Sequence, residues 1–121
     1  MARRAEEYLA DLLESVAAVR EYTRAGKRAF LRSAMARDAV VARIIQIGEA
    51  VKGAQATGLD LEKLAPEIPW RQIAGMRDLL SHQYWRTDPA IVWAVVEKDL
   101  DRLEAAVRKI QPAGRTRKRK R

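Results

Sequence analysis

The sequence predicts an all-α protein, a four- to five-helix up-and-down bundle. Three observations carry that reading. Apolar residues recur at three- and four-residue steps over most of the chain, no stretch alternates with a period of two, and Ala, Leu, Val and Ile dominate while aromatics make up only 6%. With 121 residues, 48% of them hydrophobic, the chain can fill one core but not two.

The first helix spans about Arg4 to Thr23, where Tyr8, Leu9, Leu12, Leu13, Val16, Val19 and Tyr22 form one stripe. Gly26 breaks it. A longer helix is expected from about Lys27 to Gln55, with Phe30, Leu31, Ala34, Met35, Val41, Ile44, Ile45, Gly48 and Val51 on its apolar face. A glycine inside a helix costs about 1 kcal/mol relative to alanine, so Gly48 predicts close approach of another helix. Thr57-Gly58 ends this helix, Leu61 to Leu64 form a short turn, and Pro66 and Pro69 make an irregular connector. Pro69-Trp70 opens a helix to about Ser81, with Ile73, Met76, Leu79 and Leu80 inward. Asp88-Pro89 reads as N-cap and first helical residue of a last helix to about Lys109, with Asp99 the polar interruption of its pattern. The helical domain is placed at residues 1–111 and a basic, disordered tail at 112–121.

The chain has no cysteine, which excludes disulfide scaffolds, thiolate nucleophiles and Cys-ligated zinc. The scattered carboxylates form no obvious metal cage, and no cofactor is expected. There is no apolar signal core at the N-terminus and no run near the roughly 18 apolar residues of a membrane span, so a cytoplasmic protein without membrane contact is expected. The net charge of +8 is mostly a property of the tail: Arg115, Arg117, Lys118, Arg119, Lys120 and Arg121 account for six positive charges, leaving 18 basic against 16 acidic residues. Such a tail either adds salt-sensitive affinity for nucleic acid or serves only to keep the chain soluble.

Reactive side chains concentrate in Arg77-Asp78-Leu79-Leu80-Ser81-His82-Gln83-Tyr84. Arg presents a planar cationic fork suited to phosphate, and His exchanges a proton near neutral pH. Arg77 and His82, the only histidine, are a minimal kit for cleaving a phosphodiester when RNA supplies its own 2′-hydroxyl nucleophile. On a straight helix they lie roughly 140° apart, so the helix is expected to end or bend near Ser81-His82. Asp78, four residues before His82, could orient the imidazole. Cleavage is helped by both a base and an acid, and one chain has one imidazole. A two-fold homodimer with a shared cleft is therefore expected.

Ile44-Ile45-Gln46-Ile47-Gly48-Glu49-Ala50, Ile68-Pro69-Trp70 and the Arg-x4-His-x-Tyr run from Arg77 to Tyr84 together resemble the HepT-like toxins, a branch of the HEPN superfamily. The resemblance spans nearly the whole chain. It implies a helical bundle that dimerises around the motif and acts as a metal-independent endoribonuclease. It further implies a toxin–antitoxin pair, with a minimal nucleotidyltransferase antitoxin as partner within a larger hetero-oligomer. It makes Arg77 and His82 the catalytic pair, with Asp78 where Asn is more familiar, and Glu49 a support for the motif arginine. It makes Tyr84 the residue to which the antitoxin transfers AMP, which silences the nuclease. Two other readings stand beside it: a non-catalytic helical subunit that binds substrate or nucleotide for a nucleotidyltransferase, and a nucleic-acid-binding accessory protein driven by its tail.

Overall fold

Capping chemistry sets where the helices begin. The computed structural model describes residues 3–83 and 88–111. Helix α1 (Ala5–Tyr22) opens where the Glu7 carboxylate accepts a hydrogen bond from the Arg4 backbone N–H at 2.9 Å. Helix α2 (Lys27–Arg32) follows Gly26, whose φ of 97° suits a residue without a Cβ.

The long second helix expected from the periodicity is two helices. Ser33 turns extended, and its hydroxyl accepts from the Ala36 N–H at 3.0 Å to cap α3 (Ala34–Ala56). The break lets α2 turn Phe30 inward, fully buried, with its ring 5.3 Å from that of Trp93. It also moves the apolar face. Met35 is 82% exposed and Leu31 faces outward, while Val40, Ile47 and Ala54, which the stripe omitted, are buried.

Asp60 caps the single turn α4 (Leu61–Leu64) by accepting from Lys63 N–H at 3.1 Å. The Pro-bounded connector is anchored by Trp70, whose indole N–H donates to the buried Ala65 carbonyl at 2.9 Å. Helix α5 (Trp70–Gln83) carries Ser81 and His82 in its last turn and has its last helical residue at Gln83, within two residues of the expected stop. Leu80 faces inward as expected, whereas Leu79 is exposed.

Asp88 accepts from Ala90 N–H at 2.9 Å and Pro89 takes the first helical position of α6 (Pro89–Lys98). Asp99 separates α6 from α7 (Leu100–Ile110), so the expected single last helix is also split, at its predicted polar interruption.

The described residues are helical, with α1 on α3 and α3 on α5 as the main contacts and α7 closing on α1. Tyr8 lies against Gly53 and Ser15 against Gln46, so α1 and α3 run antiparallel. Arg20 bridges α1 to Asp101 and Glu104 of α7 at 2.7 and 2.6 Å. Counting α2–α3 and α6–α7 as broken rods gives the helical bundle that the sequence predicted. Among the described residues, no helix is long and apolar enough to cross a membrane. Tyr84 and the tail from Arg115 to Arg121 lie outside the described residues.

Candidate active site

The site is built on the contact between α3 and α5. Gly48 has no side chain because the space is taken: a Cβ there would collide with the Cβ of Arg77 and stand 3.2 Å from the Ile73 carbonyl oxygen. The bare Cα lets the first carbon of Arg77 seat directly on α3. The close approach predicted from Gly48 is therefore a contact with the motif arginine itself.

From that seat the Arg77 side chain reaches Glu49, the next residue of α3. Arg77 Nε donates to Glu49 Oε2 at 2.8 Å, and Nη2 lies 2.6 Å from the same oxygen. On the other side Nη1 donates to Asp78 Oδ1 at 2.7 Å. The Asp78 carboxylate also meets Lys52 Nζ at 3.5 Å. Two cations and two carboxylates thus alternate across the surface between α3 and α5.

These contacts have an electrostatic consequence. The hydrogen bonds that Arg77 donates to Asp78 and then to Glu49 raise its pKa above its already high ordinary value. The hydrogen bond from Arg77, in turn, is the main cause that holds the Asp78 carboxyl below the usual carboxylate range; burial opposes it, and Lys52 adds to the lowering. The pairing therefore favours the charged forms of Arg77 and Asp78. Their side chains remain partly open to solvent, so an incoming phosphate can reach Arg77 by displacing a carboxylate rather than by opening the core.

Of the residues predicted from sequence, Arg77, Asp78 and Glu49 come together. His82 does not join them: it is exposed in the last turn of α5. With the helix unbroken, its direction differs from that of Arg77 by roughly 140°. The expected Asp78–His82 pairing is not formed, because Asp78 turns to Arg77 and Lys52 instead. The sequence reading missed Lys52, although its spacing three residues after Glu49 places both on one face of α3.

The model of the Ribonuclease HepT-like family matches residues 12–110. A protein of Thermococcus cleftensis named "Probable ribonuclease HepT" is 35% identical over 112 residues, covering 92% of this chain and 99% of that protein. A protein of Methanocaldococcus jannaschii whose name proposes an RNase is 30% identical over 87% of this chain and 94% of its own length. A second protein of that organism, whose name joins a gamma-glutamylcyclotransferase to a proposed RNase, is 36% identical over 85% of this chain, and there the match spans only 46% of the relative. No solved structure matches.

Proposed function

We propose that this chain, which belongs to the Ribonuclease HepT-like family, is an endoribonuclease that cleaves RNA with Arg77 and His82 and without a metal ion. The observation that carries this reading is the Arg77 guanidinium, seated on Gly48 and held in place by Glu49 and Asp78 at the protein surface. A guanidinium fixed in this way presents its remaining N–H groups to the non-bridging oxygens of a phosphodiester.

The chemistry needs little else. His82 takes the proton of the 2′-hydroxyl, and the resulting alkoxide attacks the adjacent phosphorus. The P–O5′ bond breaks, a proton passes to the departing 5′ oxygen, and a 2′,3′-cyclic phosphate remains. Arg77 offsets the charge that builds on the crowded phosphate. Since Arg77 and His82 of one chain diverge around α5, a second copy related by a two-fold axis supplies the complementary pair and the second imidazole. A monomer with full activity in sedimentation and cleavage assays would overturn that arrangement.

The toxin role belongs to the same proposal, with a minimal nucleotidyltransferase antitoxin that transfers AMP to Tyr84. A bulky anion beside Arg77 and His82 would compete for the phosphate site. The test is cleavage of a labelled RNA in excess chelator by wild type, Arg77→Ala and His82→Ala. The expected result is cyclic-phosphate ends from wild type and a loss of roughly 100-fold or more in each variant. Equal activity in all three removes the catalytic assignment, and no cleavage by wild type leaves the non-catalytic subunit in its place.

A further inference from the structure

Glu49 belongs to two neighbourhoods. Its Oε2 atom grips Arg77, and the same side chain lines a groove of about 440 Å³ between α1 and α3. That volume lies within the range of small-molecule and nucleotide sites. The groove also contains an arginine of a different kind. Arg3, at one end, is neutralised by Asp11 at 2.8 Å. Arg43, half-buried, is held only by neutral groups: its Nη1 donates to Gln46 Oε1 at 3.1 Å and to the hydroxyl of Ser15 at 3.4 Å. Ser15 is itself 2% exposed, and its hydroxyl donates to Gln46 Oε1 at 3.3 Å, so the trio is a built polar floor. Among the described residues no carboxylate lies within ion-pair distance of Arg43.

The charges decide what such a groove accepts. With Arg3 and Asp11 cancelling each other and Glu49 already paired to Arg77, Arg43 and Glu14 are the lining charges without an ion-pair partner among the described residues. A phosphate here would gain one cation but meet the unpaired Glu14 carboxylate, so the groove does not favour an anion. A neutral heterocycle with acceptors on one edge and donors on another satisfies both signs. Guanine is the base that fits best. Its N7 and O6 accept two hydrogen bonds from an arginine fork, and its N1–H and N2–H₂ give two adjacent donors to one carboxylate. No other common RNA base offers two adjacent donors on one edge.

We propose that the groove between α1 and α3 is a guanine subsite, with Arg43 reading N7 and O6 and Glu14 the N1–H and N2–H₂ edge, next to the phosphate held by Arg77. The assignment rests on the ribonuclease reading for its purpose, though not for its measurement. It gives the nuclease a preference for phosphodiesters beside a guanosine.

The experiment reads binding. Four fluorescent 2′-O-methyl tetranucleotides, three uridines with a single central G, A, C or U, are titrated against the full chain by anisotropy. The methyl groups block the nucleophile, so nothing is cut. The G oligomer is expected to bind about tenfold or more tighter than the others. Arg43→Gln and, independently, the exposed Glu14→Gln should each reduce G binding to the level of the other three while leaving those three unchanged. Glu14 is exposed, so the result for Glu14→Gln does not depend on Arg43→Gln folding. Equal binding of all four oligomers, or binding of none, overturns the subsite. So does a G preference that survives both substitutions. A guanine preference without RNA cleavage would remove the ribonuclease reading and leave the subsite standing. Cleavage without a guanine preference would do the reverse.

Discussion

Asp78 competes for the arginine that a phosphate would need. Its carboxylate occupies Arg77 Nη1 and leans on Lys52, so part of the positive charge at the site is cancelled before RNA arrives. Asp78→Asn keeps a hydrogen-bond acceptor but removes the charge. The expected outcome is tighter RNA binding, by about two- to fivefold at low salt, the scale of one exposed ion pair. A KM that rises instead would show that Asp78 acts in binding rather than against it. The same pairing carries a pH signature. The folded-state pKa of Asp78 lies below its ordinary value, so its stabilisation is complete above that value and fades as pH falls through the lower one. The stability difference between wild type and Asp78→Asn should therefore shrink on acidification below about pH 4 in denaturant titrations, with little change between pH 5 and 8. Much of this was legible in the sequence. Arg77, Asp78 and Glu49 could be assembled from spacing and resemblance. The partner of Asp78 could not, because choosing between His82 on its own helix and Lys52 on another depends on where α5 ends and how it crosses α3.

The helix scale turns on two glycines with opposite surroundings. Gly48→Ala places a methyl group against Arg77 Cβ and the Ile73 carbonyl, both carried by α5 backbone that cannot easily yield. Overpacking of this kind costs about 1–3 kcal/mol, against a helix-propensity gain of about 1 kcal/mol. A lower melting temperature and a displaced Arg77, hence weaker cleavage, are expected. Gly75, in the middle of α5, has open space where a Cβ would stand, with nothing within 4 Å, so Gly75→Ala should stabilise by about 0.5–1 kcal/mol and leave cleavage intact. A thermal melt of both variants checks the pair, and a stabilised Gly48→Ala would refute the close approach. Periodicity located every rod but not every break. Ser33 and Asp99 interrupt apolar patterns that continue on both sides, and a pattern alone does not distinguish one bent rod from two. The missed signal at Ser33 was its own chemistry, since a serine hydroxyl three residues before Ala36 can cap a new helix. The exposure of Met35 and Leu79 follows the same logic, because each break or crossing rotates which side of the helix meets the core.

For the whole molecule, charge and fold are separable. The six basic residues between Arg115 and Arg121 carry most of the +8, while the helical body holds nearly balanced charge arranged in pairs such as Arg20 with Asp101 and Glu104. Burial opposes ionisation of Glu104, but Arg108 and Arg20 outweigh it and hold that carboxyl below its ordinary range. Deleting residues 115–121 should flatten the salt dependence of RNA binding and weaken it at low ionic strength, with the cleavage pattern unchanged. Loss of all binding would instead place recognition in the tail. The seat of Arg77 on Gly48 has a further consequence for how such a molecule can be disarmed. Arg77→Ala removes the guanidinium but retains the methyl that rests on α3, so the chain stays folded and inert. Side chains larger than alanine at Gly48 disarm by unfolding. If the activity burdens its host, survivors of forced expression would fall into two kinds: cells full of intact, silent protein altered at 77, and cells nearly empty of a chain altered at 48 and lost to proteolysis.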